Sequence, residues 1–447
     1  MCIRDSTSAH QPVAAPPPGI ALAPFLGQAF TVHETWAGMA RPWIDYLARC
    51  SAMLSAGRPA VDFAVFVGEE APVTSLFGDA VDTAVPAGFD FDYVGADALA
   101  EILHVADGRI QSVGADYRLL LLGGSSRRMT VAALTRIDEL LDAGATVVGR
   151  RPESSPSLAD DPTVFRRLRE RIWDGGRPVG RVIDGDLDDA IRKLDLRPAL
   201  AIDGGPIRRI SRWVDGRLIS FLANPRAESV TLRVTPAEAS GALSGWDPVR
   251  SERVAFGQDP SSPGAVTITL APFGSIFVIA DDRSAASLEY LRVPLDGEWR
   301  IDLPGAEPVV ASPHPQRWTD LASGRAFSGT GTYSHDFVLP DLAERDGRVS
   351  VEFVSVGDIA RVVVNGRDCG IVWTPPFRLD ISPALRPGVN RMEVQVANPW
   401  RNRLVAEASS PTGEIFAPMT AVFEPTAQVL PAGLSGAVAL LVERGKA

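Results

Sequence analysis

The most constraining feature of this sequence is a change of hydrophobic period near residue 205. Upstream, continuous apolar runs (VDFAVFVG, YRLLLLGG, ATVVG) alternate with the helical patterns ADALAEILHV and VAALTRIDELLDAG. Runs such as Leu119 to Leu122 belong to strands covered on both faces, and strands interleaved with helices imply a parallel α/β layer. Downstream the helical patterns vanish. Short alternating strands follow, LISFLAN, SVTLRV, AVTITLAP and SIFVIA, then GTYSHDFVLP, RVSVEFVSV, RVVVNG, NRMEVQVAN and AVALLVE. Such strands, broken by Pro and Gly, predict β-sandwich modules. The chain of 447 residues is long enough for about three domains. The predicted class is multidomain α/β plus all-β: an α/β domain over 59–205, a β-sandwich over 206–283 and a second all-β block over 286–447, with the linker within 283–296.

Residues 35–56 place Trp36, Met39, Trp43, Tyr46, Leu47, Cys50 and Leu54 at three- and four-residue steps, which predicts an amphipathic helix. Pro42 predicts a kink or a late start, and Gly57 a C-terminal stop. Thr130 is placed to cap the helix that ends at Gly144. Residues 1–24 read as irregular, and MCIRDS resembles translated sequencing-adaptor sequence, so the natural start is expected upstream. No basic start, apolar middle and cleavage site of a secretory signal is present.

Charge and composition exclude several classes. A formal net charge of −11, with 44 Lys+Arg spread along the chain, offers no basic face to phosphates, which argues against nucleic acid and anionic membranes. No apolar run approaches the roughly 20 residues of a membrane-spanning helix. Cys2, Cys50 and Cys369 have neither disulfide nor zinc spacing. A neutral or small substrate fits better.

Glycosidic chemistry needs a pair of carboxyl groups, one protonating the leaving oxygen and one activating water. Candidates are Glu34, the adjacent Glu69 and Glu70, and Asp90 with Asp92. Glu69 and Glu70 lie beyond the carboxyl end of a strand, where α/β sheets place ligands. In FTVHETW, His33 and Glu34 fall on a strand-to-helix loop, and in a (β/α)8 barrel such loops form the active-site face. His33 and Glu34 are therefore the catalytic candidates, with Trp36 beside them as a substrate contact. Helix capping or an ion pair is the competing role for Glu34, and solvation for Glu69 and Glu70. Trp318, Trp373 and Trp400 could stack on sugar rings, with Asp380, Asn398 and Arg401 as hydrogen-bonding neighbours; packing between sheets is the competing role. The Gly-Gly of LLLLGGSSRRMT lacks G-x-G-x-x-G and the phosphate-loop lysine, so a plain strand-to-helix turn is expected. No G-x-S-x-G is present, and the five histidines form no metal pair at helical spacing. His104 is expected on the apolar face of a helix, packed in the core. In VVVNGRDCGIVW, Asn365-Gly366 predicts a tight hairpin turn, and Cys369 has only Arg367 near it to stabilise a thiolate.

The ordered segments HETWAGMARPWIDYLARCSAML, VDFAVFVGEEAP, FDFDYVGADAL, YRLLLLGGSSRRMT, LLDAGATVVGRRPESSPSL, LDGEWRIDLP and FSGTGTYSHDFVLP resemble the C-terminal part of bacterial α-L-rhamnosidases of glycoside hydrolase family 106. The resemblance covers nearly the whole chain after residue 25. VVVNG, FRLDI and PGVNRMEVQVANPW look like the galactose-binding-like jelly roll of family 2 glycosidases of the β-galactosidase/β-glucuronidase type, a competitor for that block alone.

The resemblance implies the end of a (β/α)8 barrel over 25–58, a flavodoxin-like α/β domain, a β-sandwich and a C-terminal jelly roll. It also implies inverting hydrolysis of α-L-rhamnosyl bonds in polysaccharides or glycosides, assisted by calcium, in a periplasmic or extracellular protein. Most of the barrel would lie upstream of residue 1, so this chain alone is expected to be nearly inactive. Neither family catalytic residues nor calcium ligands are matched to positions here. A non-enzymatic carbohydrate-binding protein, with recognition in the jelly roll, is the alternative from another class.

Overall fold

The computed structural model describes residues 32, 34–69, 85–86, 88–176, 179–237, 242–259, 264–281, 289–339, 348–412 and 426–444. They are mostly β-sheet with few helices, in two compact units, 50–286 and 1–49 with 287–447. Among the described residues no sheet closes into a barrel. Of the 25–58 segment the structure describes a turn and the helix Arg41–Ser55; the strand expected before His33 lies outside the described residues. Pro42 sits in the first turn of this helix, where its missing N–H costs nothing, so the helix starts late and does not kink.

Within 50–286, five parallel strands lie in the order Phe91–Val94, Phe63–Phe66, Leu119–Leu122, Thr146–Val148 and Arg181–Ile183. In chain order this is 2-1-3-4-5, a doubly wound sheet. The continuous apolar runs are explained by two cores: Ala64, Phe66, Leu120, Leu122 and Val147 enter one, while Phe63, Val65, Leu119, Leu121 and Val148 enter the other. Thr130 caps the helix Val131–Asp142, its side chain accepting from Ala133 N at 3.1 Å.

His104 departs from its expected place. It opens the strand His104–Ala106 and is solvent-exposed. The helix stops at Glu101, and Asp107-Gly108, both at positive φ, turn the chain into a three-stranded antiparallel meander ending at Tyr117.

Two further sheets in this unit enclose a third core, which includes Leu222, Leu232, Val234, Val266 and Val278. One sheet has the order Arg58–Pro59, Arg208–Val214, Arg217–Ala223, Ser275–Ala280, Leu243–Asp247 and Glu252–Val254; the other pairs Leu200–Asp203, Val230–Pro236, Val266–Leu270 and Gly257–Gln258. Strands 58–59 and 200–203 thus reach this layer from sequence on both sides of the parallel sheet. Gly57 admits the first of them: its φ is +59°, and a Cβ there would lie 2.0 Å from Trp213 O.

The other unit packs a four-stranded sheet (Glu289–Pro294, Leu434–Arg444, Val349–Val356, Phe377–Asp380) on a six-stranded one (Val309–Ala311, Trp299–Asp302, Gly329–Val338, Val389–Asn398, Ile359–Val364, Arg367–Val372). Trp299, Trp318 and Tyr333 are fully buried between them. Asn365 and Gly366, at φ 51° and 80°, form the expected two-residue turn between Val364 and Arg367.

Candidate functional site

Glu34 opens a tight turn, with its carbonyl accepting from Ala37 N at 3.0 Å and the Trp36 carbonyl from Met39 N at 2.8 Å. It is buried, at 4 % exposure. Thr35 Oγ1 donates to Asn398 O at 2.5 Å, at the end of strand Val389–Asn398. Arg361 Nη2, from strand Ile359–Val364, donates to Gly38 O at 3.1 Å. Met39 forms a small apolar cluster with Ile359 and Ala397, and Trp36, Ile371 and Trp373 pack against it. Trp36 meets Trp43 edge-on at 6.2 Å, and Tyr46 meets Trp373 at 5.2 Å. The stripe expected on one long helix is therefore split, with Trp36 and Met39 on the turn and Trp43 and Tyr46 on the helix. His33 lies outside the described residues.

Glu69 follows the strand Phe63–Phe66, as expected for the carboxyl edge of the sheet. Its two oxygens accept from Thr130 N at 2.8 Å and Thr130 Oγ1 at 2.9 Å, while Asp160 accepts from Val131 N at 2.7 Å. Two carboxylates thus occupy the positive end of the helix Val131–Asp142 and satisfy its first amides. Glu70 lies outside the described residues.

Asp90 and Asp92 sit at the opposite edge. Asp90 pairs with Arg209 at 2.6 Å, and Asp92 accepts from the Tyr117 hydroxyl at 3.0 Å. Asp62, at 7 % exposure, accepts from Asp90 N at 3.0 Å and lies 3.4 Å from Arg118. Burial lifts the Asp62 and Asp90 carboxyls above their ordinary range, outweighing the nearby guanidinium groups. This network ties the start of two parallel strands to strand Arg208–Val214. Sequence reading missed Asp62 and Arg209; the only local signal was a carboxylate inside the apolar run AVDFAVFV.

Among the aromatic candidates, Trp318 is fully buried, Trp373 is half-buried against Tyr46, and half-buried Trp400 precedes the helix Arg401–Ser409. Asp380 accepts from Ser382 N and Oγ at 2.9 and 2.7 Å, and buried Asn398 bridges Gly329 N and Phe327 O. Arg401 Nη2 donates to Gln428 O at 3.3 Å. His335 is stacked on Trp299, and His314 lies 3.5 Å from Asp296. Cys369 is the extra residue of a bulge opposite Val362 and Val363, and burial pushes its thiol above the ordinary value, against a nucleophilic role. Among the described residues no three His, Cys, Asp or Glu side chains converge as metal ligands. Nor is any helix among them long and apolar enough to cross a membrane.

The described residues form a doubly wound sheet and further antiparallel sheets, and comparison with known proteins sets this chain among the glycoside hydrolases. The family model of glycoside hydrolase family 106, alpha-L-rhamnosidase, matches residues 5–250, more than half of the sequence, and the chain belongs to that family. A solved rhamnosidase from Novosphingobium sp. PP1Y is similar throughout, with 31% identity and a TM-score of 0.81 over 93% of this chain and 42% of its own. A curated protein described as a putative beta-glucuronidase, from Formosa agariphila, is 32% identical over 235 residues, 51% of this chain and 19% of that protein. The chain spans less than half the length of either relative.

Proposed function

We propose that this chain forms the C-terminal region of an inverting α-L-rhamnosidase, with a flavodoxin-like domain, a sandwich and a galactose-binding-like jelly roll following a catalytic barrel. The observation that carries this reading is the 31% identity and 0.81 TM-score to a solved rhamnosidase over 93% of the chain. In this reading Glu34 supplies one of the two carboxyl groups, which in inverting enzymes stand roughly 6.5–9.5 Å apart with water between the base and the sugar. The second carboxyl belongs to the barrel. Glu70 remains a proposed substrate contact only through its sequence position after the strand Phe63–Phe66, and Trp36 and Trp400 through their rings, whereas the Glu69 oxygens are taken by Thr130. The substrate is a rhamnose-containing polysaccharide or glycoside, met in the periplasm or outside the cell. No step of this reading uses calcium.

The test compares aryl α-L-rhamnoside with aryl β-D-glucuronide, using the chain alone and the chain extended by whatever coding sequence precedes Met1. Rhamnoside turnover by the extended protein and near-silence of the chain alone are expected. Turnover of rhamnoside by the chain alone at ordinary glycosidase rates would refute the assignment of the barrel to upstream sequence. The similarity to the protein described as a putative beta-glucuronidase favours a second reading, another glycosidic specificity on the same scaffold. Preference for the glucuronide would select it.

A further inference from the structure

Trp373 was a candidate for sugar contact, yet its ring packs on the Met39 cluster, beside the turn that carries Glu34, and against Tyr46. Three kinds of contact converge there. Thr35 Oγ1 donates to Asn398 O at 2.5 Å, and Arg361 Nη2 donates to Gly38 O at 3.1 Å while Arg361 Nε faces Asp368 at 3.7 Å. Met39 is buried with Ile359 and Ala397, and Trp36 and Trp373 close over that cluster. Tyr46, one helical turn into Arg41–Ser55, places its ring 5.2 Å from Trp373. A turn of about seven residues has little stability of its own, because each fixed residue costs about 1–2 kcal/mol of backbone entropy. Its conformation is therefore set by the surface it lies on. That surface is two adjacent, paired strands of the six-stranded sheet, Ile359–Val364 and Val389–Asn398.

We infer that the jelly roll acts as a seat for the Glu34 turn, with Thr35, Arg361 and Trp373 as positioning residues that fix the carboxylate for glycosidic chemistry. The inference rests on the reading of Glu34 as one of the catalytic carboxyl groups. A small misplacement of such a group costs up to about a hundredfold in rate, so loosening the seat lowers kcat and leaves KM nearly unchanged. A sugar-contact role for Trp373 would instead raise KM.

The experiment combines amide hydrogen exchange on the 447-residue chain with kinetics on aryl α-L-rhamnoside in the longest form of the protein that turns it over. The variants are Thr35→Val, Thr35→Ser, Arg361→Met, Trp373→Phe and Glu34→Gln. Thr35→Val and Arg361→Met are expected to speed exchange at Ala37, Met39 and Ala40 roughly five- to tenfold, the effect of one lost hydrogen bond, while core strands stay protected. Thr35→Val lowers kcat roughly tenfold with KM within about twofold, Thr35→Ser restores it, and Trp373→Phe keeps KM. Unchanged exchange in both Thr35→Val and Arg361→Met overturns the seat, whatever Glu34 does. Faster exchange with unchanged kcat, in a protein that Glu34→Gln inactivates, overturns the positioning role while the proposed function stands. Ordinary turnover by Glu34→Gln overturns the reading of Glu34, and the inference with it.

Discussion

Glu69 and Glu34 both sit on acidic turns associated with helices. Glu69 gives both oxygens to Thr130 and completes the cap of the helix Val131–Asp142, whereas Glu34 is buried on a turn held by its own backbone and by strands Ile359–Val364 and Val389–Asn398. The opposite edge of the parallel sheet adds a third case, in which Asp62 and Asp90 are taken up by Arg118 and Arg209. A carboxylate's position at a strand end does not reveal its role; its partners do. Where helix amides or guanidinium groups take the oxygens, the group serves the fold.

The largest expected stability effect tests the ion network. Arg209→Met leaves half-buried Asp90 beside Asp62 without its guanidinium partner, and should cost about 2 kcal/mol at neutral pH by denaturant unfolding. Because burial raises both carboxyls, they take up protons above their ordinary range, and the cost should shrink as the pH falls into that range. A smaller effect tests the cap. Thr130→Val removes the hydroxyl that bonds both Ala133 N and Glu69, and should cost about 1 kcal/mol without altering rhamnoside turnover. A loss of turnover would move Glu69 and its neighbours from scaffold to site.

The smallest effect concerns Asp358, in the turn between strands Val349–Val356 and Ile359–Val364, whose carboxyl is raised to about 6 by desolvation. The folded state holds this proton in the window between the ordinary carboxylate range and about 6, so the carboxyl's contribution is full below that window and lost as pH rises through about 6. Asp358→Asn keeps a residue tolerant of the positive φ and should stabilise the protein above pH 6, by no more than about 1 kcal/mol given the residue's exposure. The two proteins should converge at the acid end.

Much of the layer order was legible because it is written in local period. Continuous runs marked the parallel strands, Thr130 its helix start, and Asn365-Gly366 its hairpin. The Asp107-Gly108 turn carried an equally local signal, yet His104 was read as helical because it follows the pattern ADALAEIL without a break in hydrophobicity. What escaped is non-local. Arg58–Pro59 joins Arg208–Val214, Leu200–Asp203 joins Val230–Pro236, and Asp90 meets Arg209 across 119 residues. No period encodes such partners. The seat of the Glu34 turn was invisible for the same reason, since Thr35 and Asn398 stand 363 residues apart.

Glu34 and Glu69 are put to different uses, and the most direct measurement compares Glu34→Gln with Glu69→Gln in the longest form of the protein, assayed on aryl α-L-rhamnoside. Glu34→Gln is expected to lose roughly 10²–10⁴-fold in kcat at an unchanged melting temperature, as for loss of a general acid or base, and Glu69→Gln to keep near-normal kcat with a slightly lower melting temperature. Turnover that survives Glu34→Gln and disappears with Glu69→Gln would contradict this assignment.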